Sequence, residues 1–196
     1  MRRKSTIVRS TKETNITLTL TLDGAGKAAV DSGVPFLDHM LVSFSRHGHF
    51  DLTLRAKGDL HVDAHHTFED IGLVFGQALG KALGDRVGIN RFGWAVMPMD
   101  EALVRVAVDL SGRPYLGYRV HSDSLDAGGV NVRLFREFFQ ALVNTGGLTL
   151  HIDLLAGEEV HHIMEVMFKA FGKALDQAVR ADPRGVGVPS TKGVLV

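Results

Sequence analysis

The chain repeats itself, and the repeat carries chemistry. His65-His66-Thr67-Phe68-Glu69 returns as His161-His162-Ile163-Met164-Glu165, and Phe75-Gly76-Gln77-Ala78-Leu79 returns as Phe171-Gly172-Lys173-Ala174-Leu175. Both echoes lie 96 residues on (65 to 161, 75 to 171). Other segments repeat at neighbouring offsets. Glu13, Ile16, Leu18, Leu20, Leu22 and Gly24 fall on Glu101, Val104, Val106, Val108, Leu110 and Gly112, 88 residues later. Gly48 falls on Gly146 and His39 on Glu137, 98 residues later, with Met40-Leu41 on Phe138-Phe139. Self-similarity of this kind marks a duplicated structural unit, so the fold must be built from two versions of one motif. Residues 1–90 make the first half, and 91–196 the second half with a C-terminal tail.

Each half reads as three strands, a helix, a strand and a helix. Asn15 to Leu22 alternates strictly with period two, as a half-buried strand does. A weaker alternation over 5–11 precedes it, and Ala28-Ala29-Val30-Asp31 follows the turn at Asp23-Gly24. Pro35 opens a helix to Arg46, which Gly48 stops. Phe50 to Arg55 alternates again, and the first His-His helix runs to Leu83. In the second half Trp94–Met97, Ala102–Leu110 and Tyr115–Val120 read as strands. Val132–Val143 reads as a helix, Leu148–Ile152 as a strand, and Val160–Arg180 as the second His-His helix. The fold class is α+β: a tandem βββαβα unit giving two antiparallel-rich, four-stranded sheets, with helices packed on one face of each.

The repeated motif suits a metal. On a helix His65 and Glu69 share a face, as do His161 and Glu165. Adjacent residues point about 100° apart, so His65 and His66 cannot readily hold one ion together. Each helix therefore serves two sites, or one site and a neighbouring subunit. His39 and Glu137, being repeat mates on the first helix of each half, are the third donors. Imidazole with carboxylate suits Mn, Fe, Zn, Co or Ni. With no Cys in the chain, thiolate zinc and disulfides are excluded.

The remaining composition narrows the partners. The 196 residues carry zero net charge with His neutral, which argues against a nucleic-acid or acidic-membrane surface. The basic start Met1-Arg2-Arg3-Lys4 has no apolar run after it, so it is not a signal peptide, and no stretch approaches a membrane span. Arg91 and Arg113 sit in turn-rich segments, Lys169 follows Glu165 by one helical turn, and Ser190-Thr191-Lys192 lies in a Gly-rich tail. Together they point to an anionic, phosphorylated small molecule. No P-loop or Gly-x-Gly-x-x-Gly is present, so a nucleotide is not indicated.

Several of these stretches resemble the imidazoleglycerol-phosphate dehydratase family: Phe36-Leu37-Asp38-His39-Met40-Leu41, Asp63 to Gly72, Leu110 to Tyr115, and Pro189 to Leu195. Lys12-Glu13-Thr14-Asn15 and Arg91-Phe92-Gly93 match as well, so the resemblance runs in order along nearly the whole chain. It implies dehydration of D-erythro-imidazole glycerol phosphate to imidazole acetol phosphate in histidine biosynthesis, in the cytoplasm. It implies a duplicated ribosomal-S5-domain-2-like fold, two Mn2+ per active site, and a large cubic homo-oligomer of 24 subunits with sites between them. Carried over, the metal ligands are His39, His65, His66, Glu69, His161, His162 and Glu165, with Glu137 where some members have His. The substrate contacts are Glu13, Arg91, Arg113, Lys169, Ser190, Thr191 and Lys192, joined by His39, His65, Glu69 and His161. Glu13, His65, His66 and Glu165 form the catalytic set. The absence of a phosphatase segment implies a monofunctional enzyme.

The two-metal arrangement has a physical rationale. The C–H bond to be broken is not acidic by itself, but a ring held as imidazolate by an ion on each nitrogen would help expel the hydroxyl. Glu13 is the candidate for proton transfer, with a metal-bound water as competitor. The rival readings are a metal-buffering or scaffold protein, and a metallohydrolase of a small phosphorylated substrate.

Overall fold

The strictly alternating stretch becomes the second strand of a four-stranded sheet. A computed structural model of the chain describes residues 3–122, 124, 126–185, 187–193 and 195. Met1 and Arg2 of the basic start, and Val186 and Val194 of the tail, lie outside the described residues. The first half runs β1 (Lys4–Ser10), β2 (Thr14–Thr21), β3 (Ala28–Asp31), α1 (Pro35–Gly48), β4 (Asp51–Gly58) and α2 (His65–Leu83). The second runs β5 (Phe92–Met99), β6 (Ala102–Asp109) and β7 (Tyr115–Arg119), then a short ribbon of β8 (Asp126–Ala127) and β9 (Val130–Asn131). It closes with α3 (Leu134–Gly146), β10 (Thr149–Ala156) and α4 (Val160–Val179). The strand orders are β1-β2-β4-β3 and β5-β6-β10-β7, the same topology twice. Each sheet is antiparallel except at one edge, where β3 pairs parallel to β4 and β7 parallel to β10.

The duplication is in register to the residue. β2 and β6 are 88 apart at both ends (14 to 102, 21 to 109), and β4 and β10 are 98 apart at both ends (51 to 149, 58 to 156). Ile16, Leu18, Leu20, Leu52 and Leu54 bury one face of the first sheet. Val104, Val106, Val108, Leu150 and Ile152 do the same in the second. Such alternation is what a sheet with one covered face requires.

The halves exchange helices. α1 packs on α4 and α3 packs on α2, while α2 covers the first sheet and α4 the second. Both crossings are close enough to require glycine on the His-His helix. A Cβ on Gly76 would stand 2.3 Å from the Leu142 carbonyl oxygen, and one on its repeat mate Gly172 would stand 2.6 Å from that of Phe44. Around these crossings Phe44 of α1 meets Phe75 of α2 and Phe171 of α4, and Phe138 of α3 meets Phe75 of α2 and Phe168 of α4, with centroids 5.2–6.2 Å apart. One apolar core therefore serves both repeats, and neither half closes its core alone.

Some boundaries differ from those the sequence predicts. Gly48 does not stop α1; it is the last helical residue, and its role is packing, since a Cβ there would stand 2.8 Å from the Gly172 carbonyl oxygen. The left-handed cap is His49 (φ 59°), matched in the second half by Gly147 (φ 60°). The helix expected over Val132–Val143 begins at Leu134 and runs to Gly146, and the short β8–β9 ribbon before it has no periodic signal. No helix among the described residues is long and apolar enough to cross a membrane.

Arg86 fastens the halves at the joint between them. Its guanidinium donates to the carbonyls of Leu110, Gly146 and Gly147 at 2.8–3.0 Å. Arg86→Met keeps the apolar stem but strands these acceptors. It is expected to cost about 3 kcal/mol, read as a lower urea midpoint at unchanged slope.

Candidate metal centre and anion cleft

The helix exchange decides which donors meet. Because α1 crosses α4, His39 from the first half reaches His161 and Glu165 of the second. His39 Nε2 and His161 Nε2 each lie 3.3 Å from Glu165 Oε2. One ligand atom from each of the three residues falls within 4.8 Å of the others, the one such group among the described residues. Two imidazoles and a carboxylate fit a divalent ion of the Mn, Fe, Zn, Co or Ni kind.

Glu165 is the electrostatic hub of this group. Burial resists its charge, but the Lys169 ammonium 2.8 Å away and the His39 ring outweigh that, holding the carboxyl down to about 2. It is thus a fixed anion at neutral pH, only 12% exposed. Lys169, expected among the substrate contacts, lies against Glu165 and also touches Met99.

The matching donors of the first half are looser. His65 Nε2 stands 3.6 Å from Glu69. Glu137 sits on α3, the helix that crosses α2, but its closest charged neighbour is Arg136 at 3.4 Å. His66 and His162 take a different direction from their neighbours, as the 100° step requires. His66 Nδ1 is 3.0 Å from Asp59 and 3.9 Å from Glu13. His162 Nδ1 is 2.9 Å from Glu101. The bond from His162 holds Glu101 at about 2, and the bond to Asp59 raises His66 above its ordinary value.

The anion-binding residues gather separately. Arg91, Arg113, Ser190, Thr191 and Lys192, with Phe92 and Pro189, line a cleft of about 720 Å³. Asp109 grips Arg91 with two bonds of 2.7 and 3.1 Å, and Arg91 donates to the Pro189 carbonyl at 2.8 Å, tying the tail down. Arg113 is freer: it is 60% exposed, and Asp109 stands 3.9 Å away. Glu13 occupies a shallow groove of about 340 Å³ with Lys12, Asn15, Lys57, Asp59 and His61. Its carboxylate makes no hydrogen bond among the described residues, but its strand is anchored: Thr14 donates to the buried Asp70, which also pairs with Arg9 at 2.9 Å.

Asp59, Asp70, Glu101 and Asp109 were not singled out from the sequence. Glu101 had a signal, since the 88-residue register sets it on Glu13. Asp70 lies in the Asp63 to Gly72 stretch but without a stated role, and the partners of Asp59, Asp109 and Asp70 stand 7, 18 and 61 residues away, spacings that no periodicity marks.

A family model described as imidazoleglycerol-phosphate dehydratase matches residues 32–175. The imidazoleglycerol-phosphate dehydratase of Geobacter metallireducens is 56% identical over 195 residues, covering 100% of each chain. Imidazoleglycerol-phosphate dehydratase 1, chloroplastic, of Arabidopsis thaliana is 56% identical over 190 residues, 96% of this chain and 70% of that one. The crystal structure of the Staphylococcus aureus enzyme superposes with a TM-score of 0.83 at 38% identity, covering 91% of this chain and 99% of that one. That of the Pyrococcus furiosus enzyme, solved in complex with (S)-C348, gives 0.84 at 40% identity, covering 96% and 100%.

Proposed function

The chain belongs to the imidazoleglycerol-phosphate dehydratase family, and on that premise we propose how its residues divide the work. It is a hydro-lyase of histidine biosynthesis. It converts D-erythro-1-(imidazol-4-yl)glycerol 3-phosphate to 3-(imidazol-4-yl)-2-oxopropyl phosphate and water. The observation that carries the division of labour is the meeting of His39, His161 and Glu165 across the α1–α4 crossing.

That group holds one Mn2+ in this reading, and its repeat counterpart, His65, Glu69 and Glu137, holds the second. His66 and His162 diverge from both groups and donate to ions of neighbouring copies in a cubic 24-subunit assembly in the cytoplasm. Ions bound there would supply Lewis acidity towards the substrate's imidazole ring. Arg113, Lys192, Ser190 and Thr191 hold the phosphate, and Arg91, braced by Asp109, keeps the tail over it. Lys169 keeps Glu165 ionised and in place. Glu13, its carboxylate without a hydrogen bond among the described residues and 55% exposed, moves the proton at the carbon that becomes the ketone.

The test is the ultraviolet absorbance of the enolised product, with Mn2+ present. Arg113→Ala is expected to lower kcat/KM about a hundredfold, chiefly through KM, with Mn2+ content unchanged. Product formation at the normal rate by this variant would remove Arg113 from phosphate binding. No product from the wild-type chain with Mn2+ loaded would favour a metal-storing scaffold.

A further inference from the structure

The second histidine of each His-His pair, His66 and His162, is anchored by a carboxylate on the same ring nitrogen. Asp59 Oδ2 lies 3.0 Å from His66 Nδ1, and Glu101 Oε2 lies 2.9 Å from His162 Nδ1. An ionised carboxylate only accepts, so each Nδ1 carries the hydrogen, and in the neutral ring each Nε2 keeps its lone pair. His162 Nε2 has its nearest acidic neighbours at 3.8 and 4.0 Å, beyond hydrogen-bonding distance. The same ring geometry thus occurs in both halves.

The anchors themselves are not repeat mates. Glu101 precedes β6 and corresponds to Glu13, whereas Asp59 follows β4. In the second half Glu101 is fully engaged: it bonds His162 and accepts from the backbone N–H groups of Glu158 and Glu159 before α4. In the first half Asp59 takes the corresponding bond, and Glu13 is left 3.9 Å from the same nitrogen. The two halves use different anchors, and in the first the glutamate stands clear of the histidine.

We infer that Asp59 and Glu101 are positioning residues that present His66 Nε2 and His162 Nε2 as donors to a divalent cation, and that Asp59 thereby frees Glu13 for the substrate. This rests on the metal reading of the His-His helices. A carboxylate behind a ligating histidine fixes both the tautomer and the direction of the ring, and its loss weakens metal affinity about 10–100-fold. Asp59 makes the cleaner test, because its side chain bonds only His66 among the described residues.

The experiment is a Mn2+ titration of the full chain followed by electron paramagnetic resonance of the free ion. It compares wild type with Asp59→Ala, Glu101→Gln and Glu13→Gln. It is paired with nitrogen-15 spectra of the histidines in the metal-free protein at about pH 8.5, above the ordinary histidine range. Asp59→Ala and Glu101→Gln are expected to bind Mn2+ about 10–100-fold more weakly, while Glu13→Gln binds as wild type does. The wild-type spectra are expected to show hydrogen on Nδ1 of His66 and His162, and Asp59→Ala to move it to Nε2 of His66 alone. If Glu101→Gln loosens the start of α4, Asp59→Ala decides. Wild-type affinity in Asp59→Ala, or hydrogen already on Nε2 in the wild type, overturns the positioning role. A wild-type chain that takes up no Mn2+ overturns the metal reading itself.

Discussion

Glu165→Gln is expected to empty the α1–α4 metal site and to slow turnover about a thousandfold, with the fold retained. The change is isosteric, but it removes the anion that His39, His161 and Lys169 all face. An amide cannot replace a carboxylate as a charged ligand, and Lys169 would then add an uncompensated positive charge beside the ion. Metal per chain and product absorbance read the two losses together, and full metal with full turnover would exclude Glu165 as a ligand. The metal-free protein offers a second readout. The folded carboxyl titrates near 2, well below its ordinary 4.5, so its contribution to stability is complete above 4.5 and is lost as pH falls towards 2. The variant lacks that component, so its denaturation midpoint should fall less steeply across this acid window than that of the wild type.

How far the sequence revealed this site depended on which kind of order each part obeys. Period-two alternation and the 88-residue register are local or repeated signals, and they located β2, β4, β6 and β10 and the element order of both halves, though not the order of strands within each sheet. The registers also nominated His39 and Glu137 as equivalent. What no register contained was the helix exchange. α1 lies on α4 and α3 on α2, and the glycines that permit these close approaches show that purpose only at the crossings. Gly48 shows the ambiguity: at a helix end a glycine reads as a stop, but here it admits the backbone of α4. The exchange is what makes the His39 site a joint product of both repeats, and it explains why two separately folded halves would hold no complete ligand set.

The carboxylates were least legible, because their roles depend on distance and not on spacing. Glu13 and Glu101 look alike in sequence, but Glu101 is bonded three times, and the Glu13 carboxylate has among the described residues a histidine nitrogen 3.9 Å away and no hydrogen bond. Asp109 and Asp70 are ordinary strand-end and helix residues in sequence. In the fold the first braces the arginines of the anion cleft, and the second anchors the strand that carries Glu13.

That anchoring gives the other large effect. Glu13→Gln is expected to reduce kcat about a thousandfold, while KM and Mn2+ content stay near wild type. The reasoning is one of separation. Glu13 donates its backbone N–H to Thr11 at 3.1 Å, and the neighbouring Thr14 is held by Asp70, so the main chain is fixed whatever the side chain does. The carboxylate bonds no residue whose loss would disturb a ligand, and His66 keeps Asp59 as its anchor. Glutamine preserves size and polarity but cannot take or return a proton near neutral pH, so a defect confined to kcat isolates proton transfer from binding. A rise in KM at unchanged kcat would instead make Glu13 a substrate contact. Near-normal values of both would take it out of the chemistry and leave a metal-held water to do the work.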